Sequence, residues 1–417
     1  MADDVENDDL YKHPLIHVVV VELHHHSDLI DNLIKVLRQE RFRMTLITVK
    51  SVYDNMGHDW GQTEEWLEVF CMDRHEDVSS YIDRMAPVFK DADILYFNTV
   101  RDFWAELGAI PRSCPAMLRI HNAHADLAPA SHFERPWTRF PGILSHLIRK
   151  VWIGGEWRKR KQFLADMDYV MFPNQAITDY VLAHGWIEES RVLPPVVPFA
   201  FLGESSAKPN DQNRWVTAAI TGKVTNAKKD YGLVYQALKN CLPDLESPLR
   251  LILLGKAGDK QAEKIVADFK SLESDRFSLD YSTSFISPDE FEKKIAEVDF
   301  LLAPIRVQTH FRKYSEVYGK SKMSGIENDI LLYRKPSIVT ARYGIRGEMD
   351  KVVDYFEPTP QSLAATLTEW VKNKPYRHLQ SHFDGMDQYR PEGVAKNFYR
   401  LCEALTSKTT CKESEKQ

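Results

Sequence analysis

Residues 215–229 read WVTAAITGKVTNAKK. The apolar, β-branched run Trp215 to Thr221 breaks at a glycine and passes directly into a lysine-rich loop. Such a run suits a strand buried on both faces of a parallel sheet. In open α/β sheets the loop beyond the carboxyl end of a strand is where ligands bind. The same cycle continues downstream, with a helix through Leu233 to Leu238, a strand Leu251 to Leu254 and a helix over Ala262 to Phe269. Ser287-Pro288-Asp289-Glu290 is a capping box with proline at the first helical position, which predicts a helix to about Val298. Short strands are expected at Phe300 to Ala303 and Ser337 to Thr340, with a helix between them, then helices near Ser362 to Val371 and Val394 to Leu405.

Upstream lies an earlier series of the same kind. Leu15 to Glu22 (LIHVVVVE) reads as a buried parallel strand, Ser27 as an N-cap, and Leu29, Ile30, Leu33, Ile34 and Leu37 as one helical face. Strands follow at Met44 to Val49, Ile94 to Phe97, Ala116 to Ile120 and Tyr169 to Phe172, separated by helices at Val78 to Lys90, around Phe103 and at Gln175 to His184. Gly185 reads as the cap of the last of these. Leu193 to Pro198 and the polar stretch Gly203 to Arg214 lead out of one series and into the next. The expected organisation is a disordered acidic tail (1–13), a first domain (14–205), a second (213–390), a C-terminal helix (391–406) that folds back on the first, and a disordered tail (407–417). The fold class is α/β with two Rossmann-like domains.

Composition narrows the function. With 417 residues the chain is long enough for two cores, and 43% apolar and 27% charged residues are the balance of a soluble globular protein. A net charge of -6 argues against a general nucleic-acid binder. Five scattered cysteines without a CxxC pair suit a reducing compartment. The acidic start and the absence of any apolar run near ~18 residues speak against a signal peptide or a membrane span, so a cytoplasmic location is expected.

Two loops in the second half carry anion-binding chemistry. In Gly222-Lys223-Val224-Thr225-Asn226-Ala227-Lys228-Lys229 the glycine permits a turn, and Lys223 and Lys228 flank an anion; a solvated lysine-rich turn is the plain alternative. In Tyr318-Gly319-Lys320-Ser321-Lys322-Met323-Ser324-Gly325, Ser324 and Gly325 bring backbone amides and a hydroxyl to a helix start, and Lys320 and Lys322 add charge. Asp329, a turn further on, is placed to bond ribose or sugar hydroxyls. Here the plain alternative is a serine cap and an aspartate on the helix dipole.

Together these loops resemble the donor half of the GT-B glycosyltransferases, in the retaining branch related to glycogen and sucrose synthases. Gly222, Lys223 and Lys228 match that branch's Gly-Arg followed by a lysine, with Lys replacing Arg. Lys335-Pro336 and Ser337-Ile338-Val339-Thr340 match its strand after Gly-Lys-Pro. Counting back from Pro336 sets Asp329 at the branch's second glutamate and Ser321 at its first. Serine leaves an acidic contact to the donor sugar unfilled, and Glu316 or Glu327 stands nearby to replace it. The resemblance implies two domains facing each other across a cleft that closes.

In the first half the resemblance carries the donor-facing histidine onto His121, at the end of strand Ala116 to Ile120 and followed by Asn122-Ala123-His124. His24, His25 and His26, with Asp28, occupy the loop after the first strand, where the family has a glycine-rich acceptor loop. Consecutive histidines rarely all point at one ion, so acceptor contact by His25, His26, Asn122 and His124 is preferred to a metal site. If the chemistry inverts, His121 or Asp28 is the candidate base. Asp91-x-Asp93 precedes a strand, at the wrong end of the sheet for a ligand.

Basic residues interleaved with tryptophans over 133–161 suit an anionic membrane surface at 149–161, on the cytoplasmic face, or simply a helix with one solvated basic face. The expected function is transfer of a glycosyl group from a nucleotide diphosphate sugar, UDP favoured, to a saccharide or lipid-linked acceptor. Retention of configuration is expected, with no cofactor, no metal and no nucleic acid. A sugar-nucleotide epimerase on the same fold and a non-catalytic two-lobed sugar- or nucleotide-binding protein stand as alternatives.

Overall fold

The computed structural model describes residues 14–56, 60, 65–133, 154–204 and 215–414. Residues 1–13 and 415–417, most of the linker and residues 134–153 lie outside the described residues; the tail expected to be disordered over 407–417 is instead helical as far as Ser414, because the C-terminal helix runs on past Thr406. The chain divides into two compact units. The first comprises Met1–Phe199, Phe311–Glu316 and Pro391–Gln417; the second comprises Ala200–His310 and Val317–Arg390.

In the first unit, β1 (Ile16–Glu22), β2 (Phe42–Val49), β3 (Leu67–Met72), β4 (Ile94–Thr99), β5 (Ala116–Arg119), β6 (Tyr169–Met171) and β7 (Val192–Leu193) form one sheet ordered β3-β2-β1-β4-β5-β6-β7. Every neighbouring pair is parallel. The chain order reverses beside β1, so the carboxyl ends of β1 and β4 form the point at which such sheets take ligands. Every residue of β1 is buried, in keeping with the apolar run Val18–Val21 at its centre. The helix Pro391–Ser414 belongs to this unit: Phe398 lies against Phe42 and Tyr96, and Tyr399 Oη donates to the Pro14 carbonyl at 2.6 Å.

The second unit holds β8 (Val216–Thr221), β9 (Leu249–Lys256), β10 (Phe277–Ser282), β11 (Phe300–Ala303), β14 (Ser337–Thr340) and β15 (Val353–Phe356); the short pair β12 (Gln308–Phe311) and β13 (Tyr314–Val317) lies between β11 and β14 in the chain, its Phe311–Glu316 segment belonging to the first unit. The main sheet runs β10-β9-β8-β11-β14-β15, again with parallel neighbours. Phe300 packs against Trp370 edge-on and against Tyr376 at a tilt in its core, and the buried indole of Trp370 donates to Asp354 at 2.7 Å. Segment 311–316 was expected in the second domain but belongs to the first unit. The buried Glu316 carboxylate accepts the Ala125 N–H at 2.9 Å within that unit.

Local punctuation follows the residues closely. The Ser287 hydroxyl accepts the Glu290 N–H at 3.3 Å, with Pro288 at the first helical position. The expected helix 78–90 divides into Val78–Arg84 and Ala86–Lys90, because Pro87 cannot supply a backbone donor mid-helix. Ser27 is the first residue of its helix rather than its cap; His26 holds the cap position with φ 67° and no side-chain cap bond.

Candidate functional site

At the carboxyl end of β8 the chain turns at Gly222, with φ +80°. Its N–H donates to Leu254 O at 2.7 Å, and β9 passes so close that a Cβ on Gly255 would stand 2.2 Å from the Gly222 carbonyl oxygen. Both glycines are therefore needed to seat the loop on the sheet. Gly255→Ala is expected to cost about 1–3 kcal/mol by overpacking, read as a lowered thermal midpoint, and to displace the lysine loop that follows.

The loop returns to the sheet through Asp230 N–H to Pro304 O at 2.7 Å, Arg306 N–H to Lys228 O at 2.9 Å and an antiparallel bridge between Lys229 and Ile305. It borders a cavity of about 260 Å³ whose walls include Gly222, Lys223, Lys228, Lys229, Ser324, Gly325 and Asp329. Elements some hundred residues apart in sequence thus meet at one place within the second unit.

Charge is concentrated on the inner wall of this cavity. Lys229 Nζ donates to the Thr221 carbonyl, the Thr221 hydroxyl donates to Asp329 at 2.6 Å, and burial sets both ionisable groups off their usual values. The Lys229 ammonium is held down to about 8 by burial, partly offset by Asp329; the Asp329 carboxyl is pushed up to about 6 by burial, against Thr221 and Lys229. Lys228 is exposed, as is Lys223, which pairs with Asp259 at 3.2 Å. The loop therefore presents one half-buried cation and two exposed ones. Spacing singles out Lys228; the inward member of the pair is Lys229. Consecutive side chains of an extended segment point to opposite sides, so only one of two adjacent lysines can turn inward at the Ile305 bridge.

On the opposite wall, the helix Ile326–Tyr333 begins at Gly325 without a side-chain cap. The Ser324 N–H, expected to be open to a ligand, instead donates to Tyr343 Oη at 2.9 Å, and Tyr343 Oη donates to the buried Glu327 carboxylate. Among the described residues the N–H groups of Gly325 and Ile326 have no hydrogen-bond partner. They carry the positive end of the helix.

Three residues of this second loop depart from expectation. Ser321 is fully buried, and its hydroxyl accepts the Val317 N–H at 2.8 Å within a tight turn, so it does not border the cavity. Lys320 is exposed on the same turn, and Lys322 likewise lies outside the cavity wall. The turn after β13 folds these three onto itself, with Gly319 at φ +75°. Neither acidic substitute borders the cavity: Glu327 is bonded to Tyr343, and Glu316 belongs to the first unit.

In the first unit the histidines converge at the carboxyl ends of β1, β4 and β5. Glu22, fully buried at the end of β1, accepts the N–H groups of His24 and His25 at 2.8 and 3.0 Å and the Asn98 amide at 2.7 Å. His26 stacks on His121 with ring centroids 4.8 Å apart. His121 Nε2 lies 3.1 Å from the Asn98 carbonyl and 3.2 Å from the Thr99 hydroxyl, which assigns the proton to Nε2 and leaves Nδ1 as an acceptor. Burial holds His121 well below the ordinary imidazole range, so it is neutral. His25 and Asp28 are exposed, Asp28 in the first turn of its helix.

His124 and Asn122 are buried and not displayed to solvent. His124 Nδ1 contacts Ser315 O at 2.8 Å, Nε2 contacts Tyr180 Oη at 2.9 Å, and the ring stacks on His132 at 3.6 Å. Acceptor contact by His124 is therefore replaced by a core role; burial lowers its pKa to about 4. Sequence reading missed Glu22, Asn98 and Arg101, whose guanidinium lies 3.4 Å from His26 Nε2. A carboxylate ending an otherwise apolar strand was the available signal for the first of these.

Asp93 is committed to the His17 N–H at 2.8 Å, and among the described residues no cluster of His, Cys, Asp or Glu could hold a metal ion. Of the basic stretch, the described helix Glu156–Asp166 buries Arg160 against Glu156 at 2.6 Å and bonds Trp157 to Tyr314 at 3.0 Å, while Arg158, Lys159 and Lys161 are exposed. No described helix is long and apolar enough to cross a membrane.

No protein-family model matches the chain, and no curated protein sequence matches it. Among solved structures, the alpha,alpha-trehalose 6-phosphate synthase from Burkholderia multivorans aligns with a TM-score of 0.59 at 10% identity, covering 96% of this chain and 99% of that one. A trehalose-6-phosphate protein from E. coli, bound with UDP-2-fluoro glucose, gives 0.56 at 11% identity over 93% and 98%. The pneumococcal O-GlcNAc transferase GtfA, in complex with UDP and GlcNAc, gives 0.54 at 9% identity over 94% and 99%. The chain is α/β with two parallel-sheet Rossmann-like domains, the GT-B fold of these neighbours.

Proposed function

We propose that this chain is a glycosyltransferase that takes its sugar from a nucleotide diphosphate sugar, UDP-linked, bound in the second unit. One observation carries the reading: Lys229, Lys228 and Lys223 share a cavity with the Gly325–Ile326 helix start and Asp329. A diphosphate leaving group gains negative charge as the glycosidic bond breaks, and preorganised cations and amides aimed at that charge lower the barrier. In this reading Lys229 bears on the diphosphate from the buried side, Lys228 and Lys223 close from solvent, and Asp329 accepts from ribose or sugar hydroxyls. The neighbours of this fold solved with UDP-2-fluoro glucose and with UDP and GlcNAc support the choice of uridine.

The acceptor, a saccharide or lipid-linked glycan, is assigned to the first unit's histidine loop, with His25, His26 and His121 as its contacts. A neutral His121 with an accepting Nδ1 suits a sugar hydroxyl, and the exposed Asp28 is the reserve base should the transfer invert. Retention, independence of metal and docking of 149–161 on an anionic surface complete the proposal.

The test is a thermal-shift and turnover panel of UDP, GDP, dTDP and ADP sugars. A ligand at a hundred times its Kd stabilises the native state by about 2.7 kcal/mol. UDP sugars are expected to raise the midpoint and to release UDP when an acceptor is present. A panel in which no nucleotide diphosphate moves the midpoint would overturn the reading.

A further inference from the structure

Ile305 is a wall residue of two cavities in the second unit: the lysine cavity just described, and another of about 270 Å³ at the carboxyl ends of β11, β14 and β15. The floor of the latter is mostly aliphatic. Leu233, Ile305, Val307 and Pro358 line it together with the buried Phe356. Leu233, Val307 and Pro358 are only half-buried. Apolar side chains gathered in one concavity and left partly in contact with water are covered favourably by a guest with an apolar body.

The rim selects the head of that guest. Arg306 and Arg342 stand exposed there, and Asp230 is the one carboxylate among the described residues of the wall. Asp230 is already committed: one oxygen pairs with Arg306 at 3.0 Å, and the other accepts the Leu233 N–H at 3.1 Å as the cap of helix Tyr231–Cys241. Arg342 makes no hydrogen bond or ion pair among the described residues. A guanidinium offers a planar fork of donors that matches a phosphate or carboxylate, and here the fork is uncommitted. Neutral polar groups are scarce, for Gln308 is exposed and the Thr340 hydroxyl already donates to the Ala303 carbonyl at 3.3 Å. A sugar would leave most of its hydroxyls unpaired, and the arginines repel a cation. The volume falls just under the ~300–1,000 Å³ usual for ligand cavities, which suits one short chain.

We infer that this cavity binds an anionic amphiphile, a short aliphatic chain lying on the Leu233–Val307–Pro358 floor and ending in a phosphate or carboxylate held by Arg342. The site goes beyond the proposed transfer reaction and does not rest on it. None of the loop lysines borders it, and the histidine loop assigned to the acceptor belongs to the first unit.

Calorimetry on the full chain with butyl, hexyl and octyl phosphate, octanoate, octan-1-ol and inorganic phosphate, all below micelle formation, tests it. One octyl phosphate per chain is expected to bind, with affinity rising about fourfold for each methylene the floor covers. Octan-1-ol should bind about tenfold more weakly, having no charge for Arg342. Octanoate against octyl phosphate decides which head is preferred, and either one above octan-1-ol supports the site. Arg342→Leu should lower octyl phosphate affinity about tenfold and leave octan-1-ol unchanged; the residue is exposed and unpaired, so the fold is preserved. Leu233→Gln should weaken every chain-bearing ligand, with the thermal midpoint reporting whether the fold is kept. Lys229→Met should still bind octyl phosphate. No binding of octyl phosphate at millimolar concentration, or alkyl phosphates no tighter than inorganic phosphate, overturns the inference. So does binding lost in Lys229→Met and kept in Arg342→Leu, which would place the anion among the loop lysines. A wild-type chain that binds octyl phosphate but no UDP refutes the donor reading while leaving this site standing.

Discussion

Lys229→Met is expected to weaken UDP binding by about 10–100-fold and to lower turnover by about 10²–10³-fold, the range for removing a charge-assisted donor to a developing anion. Lys228→Met and Lys223→Met should cost much less. Both of those ammonium groups are exposed, Lys223 already engages Asp259, and an exposed ion pair is worth little. Lys229 differs because it is half-buried and has lost part of its water, and a partly desolvated cation interacts more strongly with an arriving phosphate. Methionine keeps most of the apolar stem, so the fold loses the bond to the Thr221 carbonyl, about 1 kcal/mol, together with the attraction to Asp329. Calorimetry with UDP on the three single variants decides the ranking, and equal losses at all three positions would refute it.

The same lysine predicts a pH signature. With its pKa held down to about 8, Lys229 is charged at neutrality and loses its proton as pH rises through that value. UDP affinity is therefore expected to fall above pH about 8. Lys229→Arg keeps its charge throughout and should remove the fall. A UDP affinity that is flat to pH 9.5 in the wild-type chain would argue that the diphosphate is held elsewhere.

How far the sequence discloses this arrangement depends on burial. Central strands such as β1, β4, β8 and β11 are buried along their length and are mostly apolar, so they stand out unaided. The strands left unread within the two main sheets are their four edges: β3 (LEVFCM), β7 (VL), β10 (FSLDYS) and β15 (VDYF). An edge strand is half covered and mixes polar with apolar residues, which resembles a loop when only continuous hydrophobicity is sought. The donor cavity follows the same logic. Gly222 and the loop lysines are legible because a glycine turn after a buried strand is a local signal. The choice of Lys229 over Lys228 depends on a bridge to Ile305, and the diversion of Ser324 N–H depends on Tyr343; both are set by residues distant in sequence.

Glu22 offers the strongest stability prediction. Its side chain ends β1 without exposure to solvent, and burial pushes its carboxyl from the ordinary 4.5 up to about 7, against three N–H donors that favour the ionised form. Between these two values the unfolded chain has released a proton that the folded chain retains. Folding stability attributable to this group is therefore full below pH about 4.5 and declines as pH rises toward 7. At 1.36 kcal/mol per unit the loss is about 3 kcal/mol. Glu22→Gln cannot ionise; its carbonyl can still accept from His24 and His25, and an Asn98 turned about its terminal bond can accept from its amide. The variant should match the wild-type chain at pH 5 and exceed it at pH 8, measured by urea unfolding at both. Parallel wild-type and variant curves across that interval would show that the carboxyl ionises in the fold as freely as in the open chain. The hydrogen bonds to His24 and His25 would then be ordinary loop contacts, with no hold on the His26–His121 stack that depends on pH.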